Sequence, residues 1–188
     1  MECENKLKIT LKKYKNIINF LVKFFVSYFL LVAIYNGYLQ KSQQKESFYQ
    51  TSSITTAVAN QTVKVLTAFG YNVRVMQHDK EVSLKLFIEG KYILRIIEGC
   101  NSVSLIILFV AFIFSFSGTV RATLLFSIIG SALIYIINIL RIVFLILMIH
   151  KFPSQIGILH DLVFPAIIYG FIFLLWVLWV NKFSNLKR

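Results

Sequence analysis

The chain has 188 residues, of which 57% are hydrophobic, with a formal net charge of +12 and a mean hydropathy of +0.72. A soluble domain carries its apolar residues in short periodic runs, whereas here they form blocks of about twenty, the length a helix needs to cross roughly 30 Å of hydrocarbon. Composition therefore excludes an ordinary soluble domain and leaves an integral membrane bundle with one modest extramembrane segment.

Residues 1–16 form a basic N-terminus with Lys6, Lys8, Lys12, Lys13 and Lys15, and Lys182, Lys187 and Arg188 follow the last apolar block. Basic residues flanking membrane helices mark the cytoplasmic side and contact lipid, so the charge argues against nucleic acid as a partner. The first apolar block predicts transmembrane helix one over 17–39, too long for a signal-peptide core and followed by no small-residue cleavage site. Lys23 lies near its cytoplasmic end, and Tyr35 and Tyr38 suit the opposite interface.

Residues 40–99 form the one sizeable polar stretch, expected outside the cytoplasm. Ile54, Val58, Val65, Leu66 and Phe69 give an amphipathic helix closed by Gly70. Alternation around Val73 and Val75, then the runs Val82–Ile88 and Tyr92–Ile97 joined at Glu89-Gly90-Lys91, predict a small three-stranded element ending in a hairpin. Helix two is expected over 100–117 and helix three over 122–149, joined by a short turn with Arg121 on the cytoplasmic side. An outer loop over 150–161 leads to helix four over 162–180, which contains Pro165 and Gly170, and a cytoplasmic tail over 181–188. The expected fold class is an all-α transmembrane bundle of about four helices, with a small α+β extracytoplasmic segment between helices one and two and both termini inside.

On this topology, residues far apart in sequence reach one membrane depth. Cys100 opens helix two on the outer side, and Arg141 lies about twenty residues, or roughly 30 Å, into helix three. His160 precedes helix four on the same side, and Asn138 shares a helix face with Arg141. Each has an ordinary reading: the cysteine as a small buried hydrophobe, the arginine as an interfacial anchor, and the asparagine as a tie between helices. His160 alone is a loop histidine, and Glu98 alone is a partner for a nearby lysine or arginine. Together the residue types suit thiol acyl transfer, because a neighbouring cation favours a thiolate and an arginine can stabilise an oxyanion. No Cys-x-x-Cys and no histidine pair at helical spacing is present, so no metal and no cofactor is expected. Cys3 and Cys100 fall on opposite sides of the membrane and cannot bridge within one chain.

Glu98-Gly99-Cys100-Asn101-Ser102 before an apolar helix, Asn138-Ile139-Leu140-Arg141 late in the next, and His160-Asp161 before the last resemble the exosortase/archaeosortase family, most of all its small F-type exosortase subgroup. Where many relatives carry Ser-Gly after the cysteine, this chain has Asn101-Ser102. The resemblance implies a polytopic cysteine peptidase or transpeptidase of the cytoplasmic (inner) membrane, with its site on the outer side. Its substrates would be exported proteins with a C-terminal sorting tail: a short motif, a membrane helix and a basic end. Cys100 would be the nucleophile, His160 the general acid/base and Arg141 the transition-state stabiliser, with Asn138 and Glu98 in support. The rival is a non-catalytic membrane assembly partner or small transporter subunit. A transporter would place polar residues at mid-membrane on several helices; here they gather at one edge, which favours surface chemistry.

Overall fold

The long apolar blocks fold as helices, and the polar stretch folds as a helix backed by a sheet. The computed structural model describes residues 2–43, 50–116, 118–151 and 163–183. In chain order the elements are α1 (Glu2–Gln43), α2 (Ser53–Ala68), β1 (Val73–Gln77), β2 (Ser83–Ile88), β3 (Lys91–Ile97), a 3-10 turn (Glu98–Asn101), α3 (Val103–Ser115), α4 (Val120–Lys151) and α5 (Phe164–Lys182). Among the described residues, three stretches are long and apolar enough to cross a membrane: Tyr14–Ser42, Val120–Lys151 and Pro165–Lys182. Helix α3, expected as a full span, has 13 residues, or about 20 Å at 1.5 Å per residue. Its start is delayed because Glu98 to Asn101 wind into a 3-10 turn, and its end is set by Phe116, which turns to an extended conformation.

The apolar bundle is built from Phe109 and Ile113 of α3, Ile134 of α4, and Ile168, Ile172, Leu175 and Trp179 of α5. The opposite faces of these helices are also apolar and exposed, among them Ile128 and Ile129 of α4 and Phe173 and Leu174 of α5, as a lipid-facing bundle requires. Helix α1 lies against α3, where Phe20 meets Phe112 edge-on and Phe116 at a ring distance of 4.6 Å.

The three strands form an antiparallel sheet in the order β1-β2-β3. Glu89 (φ 51°) and Gly90 (φ 76°) make the two-residue turn whose positive φ angles match the twist of the flanking strands. One extra residue, Ile93, bulges from β3 between the Phe87–Tyr92 and Leu86–Leu94 pairs. Alternation turns Leu84, Leu86, Ile88 and Ile96 inward, onto Val58, Ala59 and Leu66 of α2 and onto Ile139, Ile142, Val143 and Ile146 of α4. The inward stripe of α2 also holds Thr55 and Thr62, with the Thr62 hydroxyl satisfied by the Val58 carbonyl at 2.9 Å. Phe69, expected on that stripe, is exposed, because the helix ends at Ala68 and the chain turns away through Phe69 and Gly70. Tyr135 of α4 donates to Gln61 Oε1 of α2 at 3.0 Å, and His150 meets the Tyr71 ring edge-on.

Helix α4 therefore serves two bodies: its first half packs into the apolar bundle, and its second half carries α2 and the sheet. The α3–α4 crossing is close at Gly130, where an added Cβ would overlap the fully buried Phe109 ring. Gly130→Ala is expected to destabilise the protein by about 1–3 kcal/mol through overpacking, seen as a lower unfolding midpoint in detergent and partly recovered by adding Phe109→Leu. An unchanged midpoint would refute that close approach.

Candidate active site

Strand β3 ends at Ile97, and the next four residues form the turn that presents Cys100. Side chains from three directions hold it. The Glu98 carboxylate accepts hydrogen bonds from Ser52 Oγ at 2.7 Å, from Thr55 Oγ1 at 2.6 Å and from the Ser52 N–H. Ser52 is itself the N-cap of α2, accepting from the Thr55 N–H at 3.3 Å. A carboxylate is favoured there because the unpaired N–H groups and dipole of a helix N-terminus attract negative charge.

Asn101 is 1% exposed and joins further elements. Its Nδ2 donates to Tyr35 Oη of α1 at 2.8 Å, to Thr55 Oγ1 at 3.0 Å and, more weakly, to Glu98 Oε2 at 3.4 Å. Its Oδ1 accepts from the Val103 N–H at 3.0 Å, satisfying one of the open donors at the start of α3. Ser102 completes the turn in the left-handed region at φ 62°, the region that favours glycine.

From the other side, Asn138 of α4, equally buried, donates its Nδ2 to the Cys100 carbonyl at 2.8 Å. The thiol of Cys100 is free and partly exposed. It opens on a cavity of about 450 Å³ between β3 and α4, lined by Tyr92 to Ile97, Cys100, Arg141, Ile142, Leu145 and Ile149. Two charged residues line it, both arginines, and the Arg95 side chain pairs with Glu81. Arg141 Nε is buried and, among the described residues, has no hydrogen-bond partner, and the same holds for Asn138 Oδ1.

Cys100, Asn138 and Arg141 are thus brought together, with Arg141 lining the thiol's cavity and Asn138 fixing the thiol's backbone. Glu98 lies on the α2 side of the same turn and takes hydroxyl and amide donors instead of the lysine or arginine weighed as its ordinary partner. His160 lies outside the described residues. The family model for transmembrane exosortases (Exosortase_EpsH) matches residues 20–180. The chain belongs to the transmembrane exosortase family. No curated protein and no solved structure gives a significant match.

In this exosortase the match runs from α1 to α5 and includes Cys100, Asn138 and Arg141. Family membership and the apolar helices together make the protein an integral membrane protein and point to a membrane-embedded processing enzyme. Sequence reasoning missed the roles of Ser52, Thr55, Asn101 and Tyr35. The one local signal was Ser52 and Thr55 at capping spacing where α2 starts; their partner Glu98 lies too far along the chain for spacing to reveal.

Because donors surround Glu98, Glu98→Gln puts an NH₂ where acceptors are required. It is expected to cost about 1–3 kcal/mol, the penalty for a buried unmatched donor, measured by unfolding in detergent. A wild-type midpoint would show that the cluster adds nothing to stability.

Proposed function

We propose that the protein is a membrane-embedded cysteine peptidase or transpeptidase, closest to the F-type exosortases, that processes C-terminal sorting tails of exported proteins at the outer face of the cytoplasmic membrane. The observation that carries this reading is the shared cavity: a free thiol and a guanidinium whose buried Nε has no partner among the described residues line the same space in a chain of the exosortase family.

Cys100 passes its thiol proton to His160 and attacks the scissile carbonyl as the thiolate, and the carbonyl oxygen takes the negative charge. Arg141 stabilises that oxyanion with a fixed, permanently charged donor. As the tetrahedral adduct collapses, the C–N bond breaks, the amine leaves with a proton from His160, and a thioester remains on Cys100. Water or an amine acceptor, deprotonated by His160, then attacks the thioester and returns the thiol. Asn138 and Glu98 act on the backbone of the nucleophile: one holds the Cys100 carbonyl and the other holds the turn, which keeps the attacking atom in position.

The test is processing of a co-expressed, epitope-tagged reporter that ends in a sorting tail of short motif, apolar helix and basic end. Cys100→Ala is expected to abolish cleavage at wild-type membrane levels. Arg141→Gln should slow cleavage by about 10²–10³-fold, the usual effect of removing an oxyanion donor, and His160→Ala by about 10²–10⁴-fold. Cleavage by Cys100→Ala at the wild-type rate would overturn the mechanism.

A further inference from the structure

Strand β3 is an edge: β2 lies on one side, and among the described residues no strand pairs on the other. The register shows which backbone groups face outward. The His78 N–H donates to the Ser83 carbonyl at 2.9 Å and the Glu89 N–H to the Asn72 carbonyl at 3.0 Å. The β1–β2 register is continuous between these bonds, so Ser83, Lys85 and Phe87 turn their backbone groups toward β1. Alternation then leaves Leu84, Leu86 and Ile88 facing β3, where they meet Ile96, Leu94 and Lys91. Arg95, between these, directs its N–H and C=O to the free edge, and Ile97 directs its N–H there; the Ile97 carbonyl caps the 3-10 turn and accepts its first hydrogen bond.

The cavity follows that edge. The consecutive residues Tyr92 to Ile97 all line it, whereas a cavity over one face of the strand would take alternate residues. Its far wall is the face of α4 bearing Arg141, Ile142, Leu145 and Ile149, and Cys100 stands just past the end of the strand. A lipid chain would satisfy the isoleucines and the leucine. It would leave the outward N–H and C=O of Arg95, the outward N–H of Ile97 and Arg141 Nε without partners, at about 1–3 kcal/mol for each such group shut off from water. A polypeptide in extended conformation supplies acceptors and donors at the strand spacing.

We propose that the substrate binds here as a fourth strand: an extended segment of about five or six residues pairs with Arg95 and Ile97 on the β3 edge. This rests on the reading of Cys100 as nucleophile for what happens next, but not for the binding itself. Side chains at every second position of the segment rest on Ile142, Leu145 and Ile149, so the groove selects apolar residues in alternation. A carbonyl of the segment accepts from Arg141 Nε beside the thiol. Binding through an exposed sheet edge draws its affinity from the main chain and its selectivity from alternate side chains.

Binding is read without chemistry in protein carrying Cys3→Ser and Cys100→Ala, using the tagged sorting-tail reporter with single cysteines placed one by one through its motif. Under mild oxidation, Arg95→Cys and Ile97→Cys are expected to crosslink to reporter positions of one parity, and Leu94→Cys, on the other face of the strand, to positions of the opposite parity. Crosslinks without a two-residue period, or none, would overturn the proposal. In otherwise wild-type protein, Arg95→Pro removes an outward N–H and leaves the β2–β3 ladder intact. It should lower processing at least tenfold relative to Arg95→Ala, and equal processing by the two would likewise overturn it. Wild-type cleavage by Cys100→Ala together with periodic crosslinks would sink the thiol mechanism and leave the strand addition standing.

Discussion

The carboxylate of Glu98 is the charge around which the polar end of this protein is assembled. Its oxygens take donors from the first turn of α2 and from Asn101, and Asn101 in turn reaches α1 and the start of α3. Hydrogen bonds to a charged group contribute about 1.5–3 kcal/mol each. The exposed pairs of the hairpin, Lys85 with Asp79 and Arg95 with Glu81, belong to a class that contributes about 0–1 kcal/mol. The turn bearing Cys100 is therefore fixed by this partly buried cluster and not by the surface ion pairs near it. Asn138 closes the arrangement from α4 through the Cys100 carbonyl.

Helix α4 gives that cluster its footing. Ile134 belongs to the apolar bundle with α3 and α5, while Ile139, Ile142, Val143 and Ile146 belong to the core under the sheet. Between these two sets lies Asn138, and one turn further on lies Arg141. A single rigid rod thus sets the spacing between the bundle, the cavity wall and the sheet edge.

Much of this was legible in the sequence because its causes are local. Apolar length marked the blocks that became α1, α4 and α5, and alternation with Glu89-Gly90 marked the hairpin. Counting 1.5 Å per residue through helix three placed Arg141 at the depth of Cys100, and both do line one cavity. The apolar run that starts at Val103 after Glu98-Gly99-Cys100-Asn101-Ser102 marked α3 as well. The 3-10 turn ahead of it was not legible, because Glu98 and Asn101 are held there by residues 52, 55 and 35. For the same reason Thr55 and Thr62 occupy a core stripe where spacing pointed to Phe69. A buried hydroxyl is acceptable once it has a partner, and these partners lie across the fold or one turn back along the helix.

The shortness of α3 has a mechanical consequence. At about 20 Å, the helix that follows the cysteine falls roughly 10 Å short of the hydrocarbon thickness of a bilayer, while its neighbour α4, with 32 residues, exceeds it. In a bilayer that both helices crossed, lipid beside α3 would thin, or the turn bearing Cys100 would lie below the headgroups and meet water through the cavity. Mismatch of this kind costs fractions of a kcal/mol per Å, comparable to the hydrogen bonds that hold the turn. Acyl-chain length then joins the determinants of how the thiol is presented, and a thicker membrane would load its strain on the helix that follows Cys100 in the chain.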